Sequence, residues 1–333
     1  MAVPTSPAWE TICQYYWGSR FVHANDTNSS TVPVGSGVHQ GSVLGPLLFL
    51  IYINDLPATV NSRICLFADD CVIYRKITND SDIRSLQVDL NNILDWCHNR
   101  KMKLNIKKCK SMRVSRSNTT CPPYFLHSHP LESVRSYRYL GIHITNTLSW
   151  KLHIEHIASK ANKTLGYLRR NFTLAPSSLK SLLYMTYVRP QMEYASSIWD
   201  PGQVSLTQVL ETVQNRATRF ILGNYHRTCS VTQLKKSLNL LPLATRRKHF
   251  RICLFHKIFY SNFQLRSRWI QPATFISHRR DHQHKVTVPH CNTVTCAQSY
   301  FPLTSKEWNS LPASLTSITD STQFRRILTT LTT

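Results

Sequence analysis

Apolar and polar positions along the chain fall into three regimes. Up to about residue 148, short strand-like runs alternate with helices. Trp9 to Trp17 has helix-like apolar spacing. Arg20 to Val34 reads as a hairpin: RFVHA, the turn-rich NDTNSS, then TVPV. GVHQGSVLGP breaks the pattern, and an apolar helix runs on to about Asn54, ended by Pro57. ICLFADDCVIY, residues 64–74, is two short apolar strands with two acids at the bend. Ile83, Leu86, Leu90, Ile93, Leu94 and Cys97 recur at intervals of three and four, an amphipathic helix behind the acidic cluster Asp80, Ser81 and Asp82. SYRYLGIHIT, residues 136–145, reads as one or two strands.

From Trp150 to about Tyr260 the period is helical, with helices over 150–171, 177–199, 205–222, 230–239 and 243–260. Pro176, Pro201, Gly223 and Pro242 separate them, and Arg189-Pro190 should kink the second. Beyond Ser261 the chain is polar, rich in His and Thr and weakly patterned, with one apolar recovery at 299–312 that suggests a tail docking back. The expectation is an α+β chain in three parts: 1–148 with strands and helices, 149–262 all helical, and 263–333 a weakly structured basic tail.

Charge adds a partner to this picture. Forty Lys and Arg face seventeen Asp and Glu, a formal +23. Such an excess repels itself in a compact state, and a polyanion relieves it. Nucleic acid fits best, because its backbone releases counterions when Lys and Arg neutralise it. An anionic membrane surface is the lesser alternative. The longest apolar run, Val43 to Ile53, is too short to span a bilayer and reads as a buried helix. Ten cysteines are scattered with no C-x-x-C pair, and no signal peptide is apparent, so a reducing intracellular compartment is expected.

The candidate chemistry starts at Asp69 and Asp70. Two carboxylates at a tight bend among apolar strands are costly unless a cation neutralises them, and divalent metal ions are the usual answer. Asp is also an ordinary turn residue. Upstream, Gln40 and Gly41 offer a hydrogen-bonding amide and bare backbone, and Ser42 is a plausible N-cap for the apolar helix.

Here the sequence resembles a known family. GVHQGSVLGPLLFLIYINDLP (37–57) followed by LFADD resembles motifs B and C of non-LTR retrotransposon reverse transcriptases. LNIKKCKSM (104–112) is similar to motif D, and YRYLGIHIT (137–145) to motif E, the primer grip. WKLHIEHIASKANKTLGYLRR (150–170), YMTYVRPQMEYASSIWDP (184–201) and LETVQNRATRFILG (210–223) resemble the helices that follow, so the likeness covers at least residues 9–260.

The resemblance implies a partial polymerase palm followed by a helical thumb-like region. It implies Asp69 as a Mg²⁺ ligand and Asp70 as support for the metal site. Phe67 and Ala68 would pack beside the primer end, and Gln40 and Gly41 would line the template and nucleotide pocket. Tyr139, Leu140 and Gly141 would hold the primer. Lys108 is a candidate to meet the leaving pyrophosphate, with one more solvated lysine as the equal alternative. RNA template, DNA primer and deoxynucleotides would be the partners.

Two departures from the family pattern matter. The family's motif A, which supplies a further Asp, is expected to be missing: before Gly37 the only acids are Glu10 and Asp26, neither in motif-A surroundings. The chain as given is therefore expected to lack polymerase activity, and a non-catalytic nucleic-acid-binding remnant is the alternative reading. His39 stands where the family usually has proline, which loosens the turn before Gln40. In the tail, His278, His282, His284, His290, Cys291 and Cys296 invite a zinc reading, but their spacing is irregular and a loose basic segment is the preferred expectation.

Overall fold

The computed structural model describes residues 41–115, 121–226, 228–277, 279 and 281–331, with short pieces between 19 and 33. Contacts divide the chain into two units: residues 1–113 with 119–134, and residues 114–118 with 135–333.

In the first unit, β1 (Ser19–Arg20) pairs antiparallel with β4 (Val32–Pro33), and β2 (His23–Ala24) with β3 (Thr27–Asn28). This is the hairpin expected over 20–34. Helix α1 spans Leu44–Ile53, and Ser42 Oγ accepts from the Gly45 N–H at 3.0 Å, a capping bond to an otherwise orphaned donor. Strands β5 (Arg63–Phe67) and β6 (Asp70–Tyr74) form an antiparallel hairpin. Helix α2 spans Asp80–Asn99 and begins with a capping box: Asn79 accepts from the Asp82 N–H, and Asp82 reaches back to the Asn79 N–H. The N-cap is therefore Asn79, one residue before the acidic cluster.

The core of this unit is Ile53, Leu56, Ile93, Trp96 and Cys97, with Ile64, Leu66 and Ile73 of the hairpin packed against it. Buried Asp89 of α2 accepts from the N–H groups of Asn61 (2.9 Å) and Ser62 (2.8 Å), fixing the entry to β5. Asp55 accepts from Trp96 Nε1 at 3.1 Å and pairs with Arg100. Helix α2 is thus tied both to the residues leading into β5 and to those following α1.

Helix α1 corrects the expectation of a buried helix. Only Gly45 and Ile53 are buried, while Leu44, Leu47, Leu50 and Ile51 are exposed, Leu47 by 53%. The helix is apolar all round, but the hairpin and α2 cover one side of it. Further strands are two residues each: β7 (Lys110–Ser111), β8 (Phe125–Leu126), β9 (His129–Pro130) and β10 (Glu132–Ser133). β8 and β9 pair antiparallel, and β10 runs parallel to β7. Among the described residues the strands make two-stranded ladders.

The second unit opens with the hairpin of β11 (Ser136–Tyr139) and β12 (Ile142–Thr145). Helices follow close to the expected spans: α3 (Lys151–Asn171), α4 (Ser177–Leu183), α5 (Arg189–Glu193), α6 (Ser196–Trp199), α7 (Val204–Leu222), α8 (Val231–Ser237) and α9 (Leu243–Ser261). The single helix expected over 177–199 is three. A π-helical turn at Tyr184–Val188 precedes Pro190, which lacks the N–H to continue an α-helical ladder, and Ala195 (φ +51°) breaks the chain again. Gly223 (φ +64°) caps α7, donating toward the carbonyls of Arg219 and Phe220. The core here runs from Ile154, Leu165 and Leu168 of α3 through Tyr184, Val188 and Met192 to Leu210, Val213 and Phe220 of α7.

The expectation of a weakly structured tail is overturned. Residues after 262 form α10 (Phe263–Trp269), α11 (Val294–Ala297), α12 (Tyr300–Asn309), α13 (Ala313–Thr316) and α14 (Ser321–Thr330). Trp308, Leu315, Phe324 and Leu328 join Ile252, Phe255 and Phe259 of α9 in a second core. The reason lies in α9, which buries residues over most of its circumference and so needs partners on more than one side. The apolar stretch 299–312 does dock back, through Trp308.

Asp200 ties the two cores together. One carboxylate oxygen accepts from Arg247 Nε at 2.8 Å and the other from Arg251, whose guanidinium also reaches Glu307 of α12 at 2.7 Å. Arg247 and Arg251 are buried. Removing the shared acid leaves buried Arg247 without its carboxylate and Arg251 with Glu307 alone, and breaking a buried pair costs about 3–5 kcal/mol. Asp200→Ala is expected to destabilise the second unit by about that much in urea unfolding followed by tryptophan fluorescence. A loss under about 1 kcal/mol, the scale of an exposed pair, would show that the network does not hold the helices.

Candidate active site

The acidic hairpin closes with a two-residue loop. Phe67 pairs with Asp70, leaving Ala68 and Asp69 at the tip. Ala68 has φ +49°, the left-handed region that costs a residue with a Cβ about 1–2 kcal/mol. Strain of this kind persists only where the surroundings hold it, and it clusters at functional sites. The alternation of β5 explains how the acids are presented: Ile64 and Leu66 point to the core, so the closing pair and the loop stand clear of it.

The acids are not flanked by buried apolar residues, as the sequence suggested. Asp69 and Asp70 are exposed and Phe67 is 61% exposed. The core lies on the face of the hairpin that carries Ile64, Leu66 and Ile73, and the two exposed carboxylates stay hydrated and need no cation to be tolerated. Among the described residues neither makes an ion pair, and no group of three or more His, Cys, Asp or Glu gathers to hold a metal. Two free carboxylates are hard oxygen donors, a donor set that suits Mg²⁺ completed by water and substrate phosphates.

The other candidates distribute as follows. Gln40, His39 and Glu10 lie outside the described residues. Gly41 is exposed with φ +85°, and a Cβ there would meet nothing within 4 Å, so its need for glycine is conformational. Asp26 is an exposed turn residue with φ +56°. Lys108 closes a 3₁₀ turn, Ile106–Lys108, and is exposed. A cavity beside that turn is lined by Lys103, Lys107, Lys110, His129 and Glu132 but not by Lys108. Lys110 is paired with Glu132 at 2.5 Å, which leaves Lys103 and Lys107 as the cations with no carboxylate partner there.

In the second unit, Tyr139 closes the β11–β12 hairpin against Ile142, and Leu140 (φ +46°) and Gly141 (φ +83°) form its two-residue turn. Positive φ at both positions is the primed turn that matches strand twist. Tyr194 locks it. Its hydroxyl donates to the Leu140 carbonyl at 3.1 Å, and its ring lies 3.3 Å from where a Cβ on residue 141 would sit. Sequence reading missed Tyr194, because nothing local links it to a turn 54 residues upstream. The one available signal was an aromatic residue where the helical pattern fails.

Behind this hairpin, His153 of α3 is buried. Its Nδ1 accepts from the His143 N–H at 3.3 Å, and its ring packs on Trp199 at 5.2 Å. Two of the tail histidines, His282 and His284, are likewise structural, and His278 lies outside the described residues. His282 is buried with Nε2 bonded to the Trp308 carbonyl at 3.1 Å, and His284 packs on Phe259 and Tyr260 while its carbonyl accepts from Trp308 Nε1. They are unavailable to the zinc site considered above. Cys291 and Cys296 approach to 2.8 Å, with no further ligand gathered among the described residues.

Residues 1–144 match the reverse transcriptase (RNA-dependent DNA polymerase) family. Beyond that stretch the chain is similar to the polymerases of non-LTR retrotransposons. It is 26% identical over 228 residues to the probable RNA-directed DNA polymerase from transposon X-element of Drosophila melanogaster, covering 66% of this chain and 25% of that protein. To the RNA-directed DNA polymerase from mobile element jockey of the same fly it is 26% identical, over 61% of this chain and 23% of that protein. To the probable polymerase from transposon BS it is 27% identical, over 71% and 28%. These alignments are longer than the 144 residues of the family match, so the likeness to these polymerases continues into the helical unit. The chain spans about a quarter of the length of these curated relatives.

Burial first, then His143, His156 and Arg138, pushes the His153 imidazole down to about 4. Burial also lowers His143, His249, His256 and His284. These rings fold neutral, whereas in the unfolded chain they take a proton near pH 6.5. Stability is therefore full above about pH 6.5 and falls as the pH drops toward 4, by on the order of 3 kcal/mol for His153 alone. Thermal melts at pH 7.5 and 5.0 should show the loss, and His153→Gln should shrink the difference. An equal difference in the variant would put the titration elsewhere.

Proposed function

We propose that this chain is part of the RNA-directed DNA polymerase of a non-LTR retrotransposon, its first unit contributing to the palm and its second to the thumb. The observation that carries the reading is the pair of free carboxylates at the tip of a strained hairpin loop, inside the stretch that matches the family. Asp69 and Asp70 hold Mg²⁺, which neutralises charge on the phosphates when it is bound. Phe67 and Ala68 border the primer end, and Gln40 and Gly41 line the template and nucleotide pocket. The turn at Tyr139, Leu140 and Gly141 holds the primer strand, stiffened by Tyr194.

In this reading a primer 3′-hydroxyl attacks the α-phosphate of a deoxynucleotide. A P–O bond forms, the bond to pyrophosphate breaks, and the proton leaves the hydroxyl. Lys108 donates charge or a proton toward the pyrophosphate. Positioning and charge neutralisation carry such chemistry, so correct placement of these groups is most of what the protein supplies. RNA template and DNA primer are the partners, in an intracellular compartment.

The 333-residue chain alone is proposed to be inactive, because no third acid joins Asp69 and Asp70 among the described residues. It then acts as a nucleic-acid-binding remnant, the reading its formal charge of +23 favours. Primer extension with Mg²⁺, an RNA template and a DNA primer is expected to give no product from the chain alone. Incorporation that disappears in Asp69→Ala would overturn the inactivity. Binding to an RNA–DNA hybrid should be tight at low salt and weaken as salt rises, and no binding at low salt would sink both readings.

A further inference from the structure

Helices α3, α4 and α7 enclose a cavity of about 670 Å³ whose wall includes Arg169, Arg170, Thr173, Lys180, Phe220 and Tyr225. No acid lines it. Lys180 is only 8% exposed, although it carries an ammonium group. Its Nζ donates to the Thr173 carbonyl at 2.8 Å and sits 5.3 Å from the centre of the Phe220 ring. Among the described residues it has no carboxylate partner. A buried ammonium without a counter-charge is unfavourable, and a carbonyl and a ring face offset only part of that cost.

At the rim, Arg169 and Arg170 are exposed, and the Arg169 guanidinium lies 5.6 Å from the centre of the Tyr225 ring. Tyr225 is itself 53% exposed. The two arginines also complement the negative end of α3, which explains their place in its last turn. It does not explain the lysine inside.

We propose that this cavity takes a backbone phosphate of a single-stranded nucleic acid, with Lys180 as the inner cation, Arg169 and Arg170 at the rim, and a neighbouring base on Tyr225. Three cations without an acid make an anion site, and an exposed aromatic stacked with an arginine beside it is what a strand offers bases to. This site is separate from the acidic hairpin. It rests on the reading of the chain as a nucleic-acid binder, not on catalysis.

The experiment is fluorescence anisotropy of a labelled 15-nucleotide single-stranded RNA with the full chain across a salt series. Arg169→Gln with Arg170→Gln should weaken binding about ten-fold at moderate salt and flatten the log K against log[salt] slope by up to roughly 0.7, the release associated with one phosphate. Tyr225→Ala should weaken it about five-fold and leave the slope alone. Arg325→Gln with Arg326→Gln on α14 removes the same charge elsewhere in the unit and serves as the control. Lys180→Met is added with a thermal melt to verify folding, and if it unfolds the rim and ring variants still decide. Equal losses in the rim and control pairs, or none in either, would overturn the cavity site. An absence of binding by the unsubstituted chain would overturn the nucleic-acid reading along with it.

Discussion

The second unit depends on one carboxylate, that of Asp200, shared between two buried arginines on α9. Arg247 and Arg251 lie on a helix that is buried over most of its circumference, and one of them also reaches Glu307 in the tail. Bringing two guanidinium groups inside is costly unless their hydrogen-bond geometry is fixed and their charge matched. Asp200 does both just before the chain turns at Pro201. The core of α3 to α7 on one side and the core built by the tail on the other are held in register by this arrangement. Glu193 with Arg189 and Arg246, and Glu211 with Lys235 and the Leu243 N–H, repeat the device along the same helices.

That use of the acids shapes the surface. Only seventeen acidic side chains are present, and several of those in the helical unit are committed to internal arginines and lysines. What remains outside is mostly cationic. The basic character of the chain is therefore an exterior property, suited to a phosphate backbone, while the interior is close to balanced. Lys180 is an exception, a cation inside with no acid to meet it.

The acidic hairpin follows the opposite logic. Its core-facing residues, Ile64, Leu66 and Ile73, anchor it to α2, and the tip extends away from them with its carboxylates in water. A site arranged this way is held firmly at its base and is accessible at its tip. Ala68 at positive φ shows that the loop geometry is imposed by the ladder on either side and not by the preference of the residue.

The sequence by itself carried most of the helices before the tail and a likeness to the reverse transcriptases. The amphipathic period of α2 and the breakers around α3, α7, α8 and α9 placed boundaries to within a residue or two, because capping and proline chemistry are local, whereas the helix expected over 177–199 is broken into three. Motif order around FADD led to the reverse transcriptases for a similar reason, since spacing along the chain survives without any knowledge of contacts. Tertiary structure alone decided burial and partnership. α1 reads as a core helix yet exposes three of its four leucines, because hydrophobicity says what a helix could bury and not what lies beside it. The tail reads as loose, yet folds, because its apolar residues are few and find a partner only on α9. Tyr194 over the Leu140–Gly141 turn, Asp200 between its arginines and Lys180 in its cavity join residues far apart in the chain, and no local pattern encodes such distances.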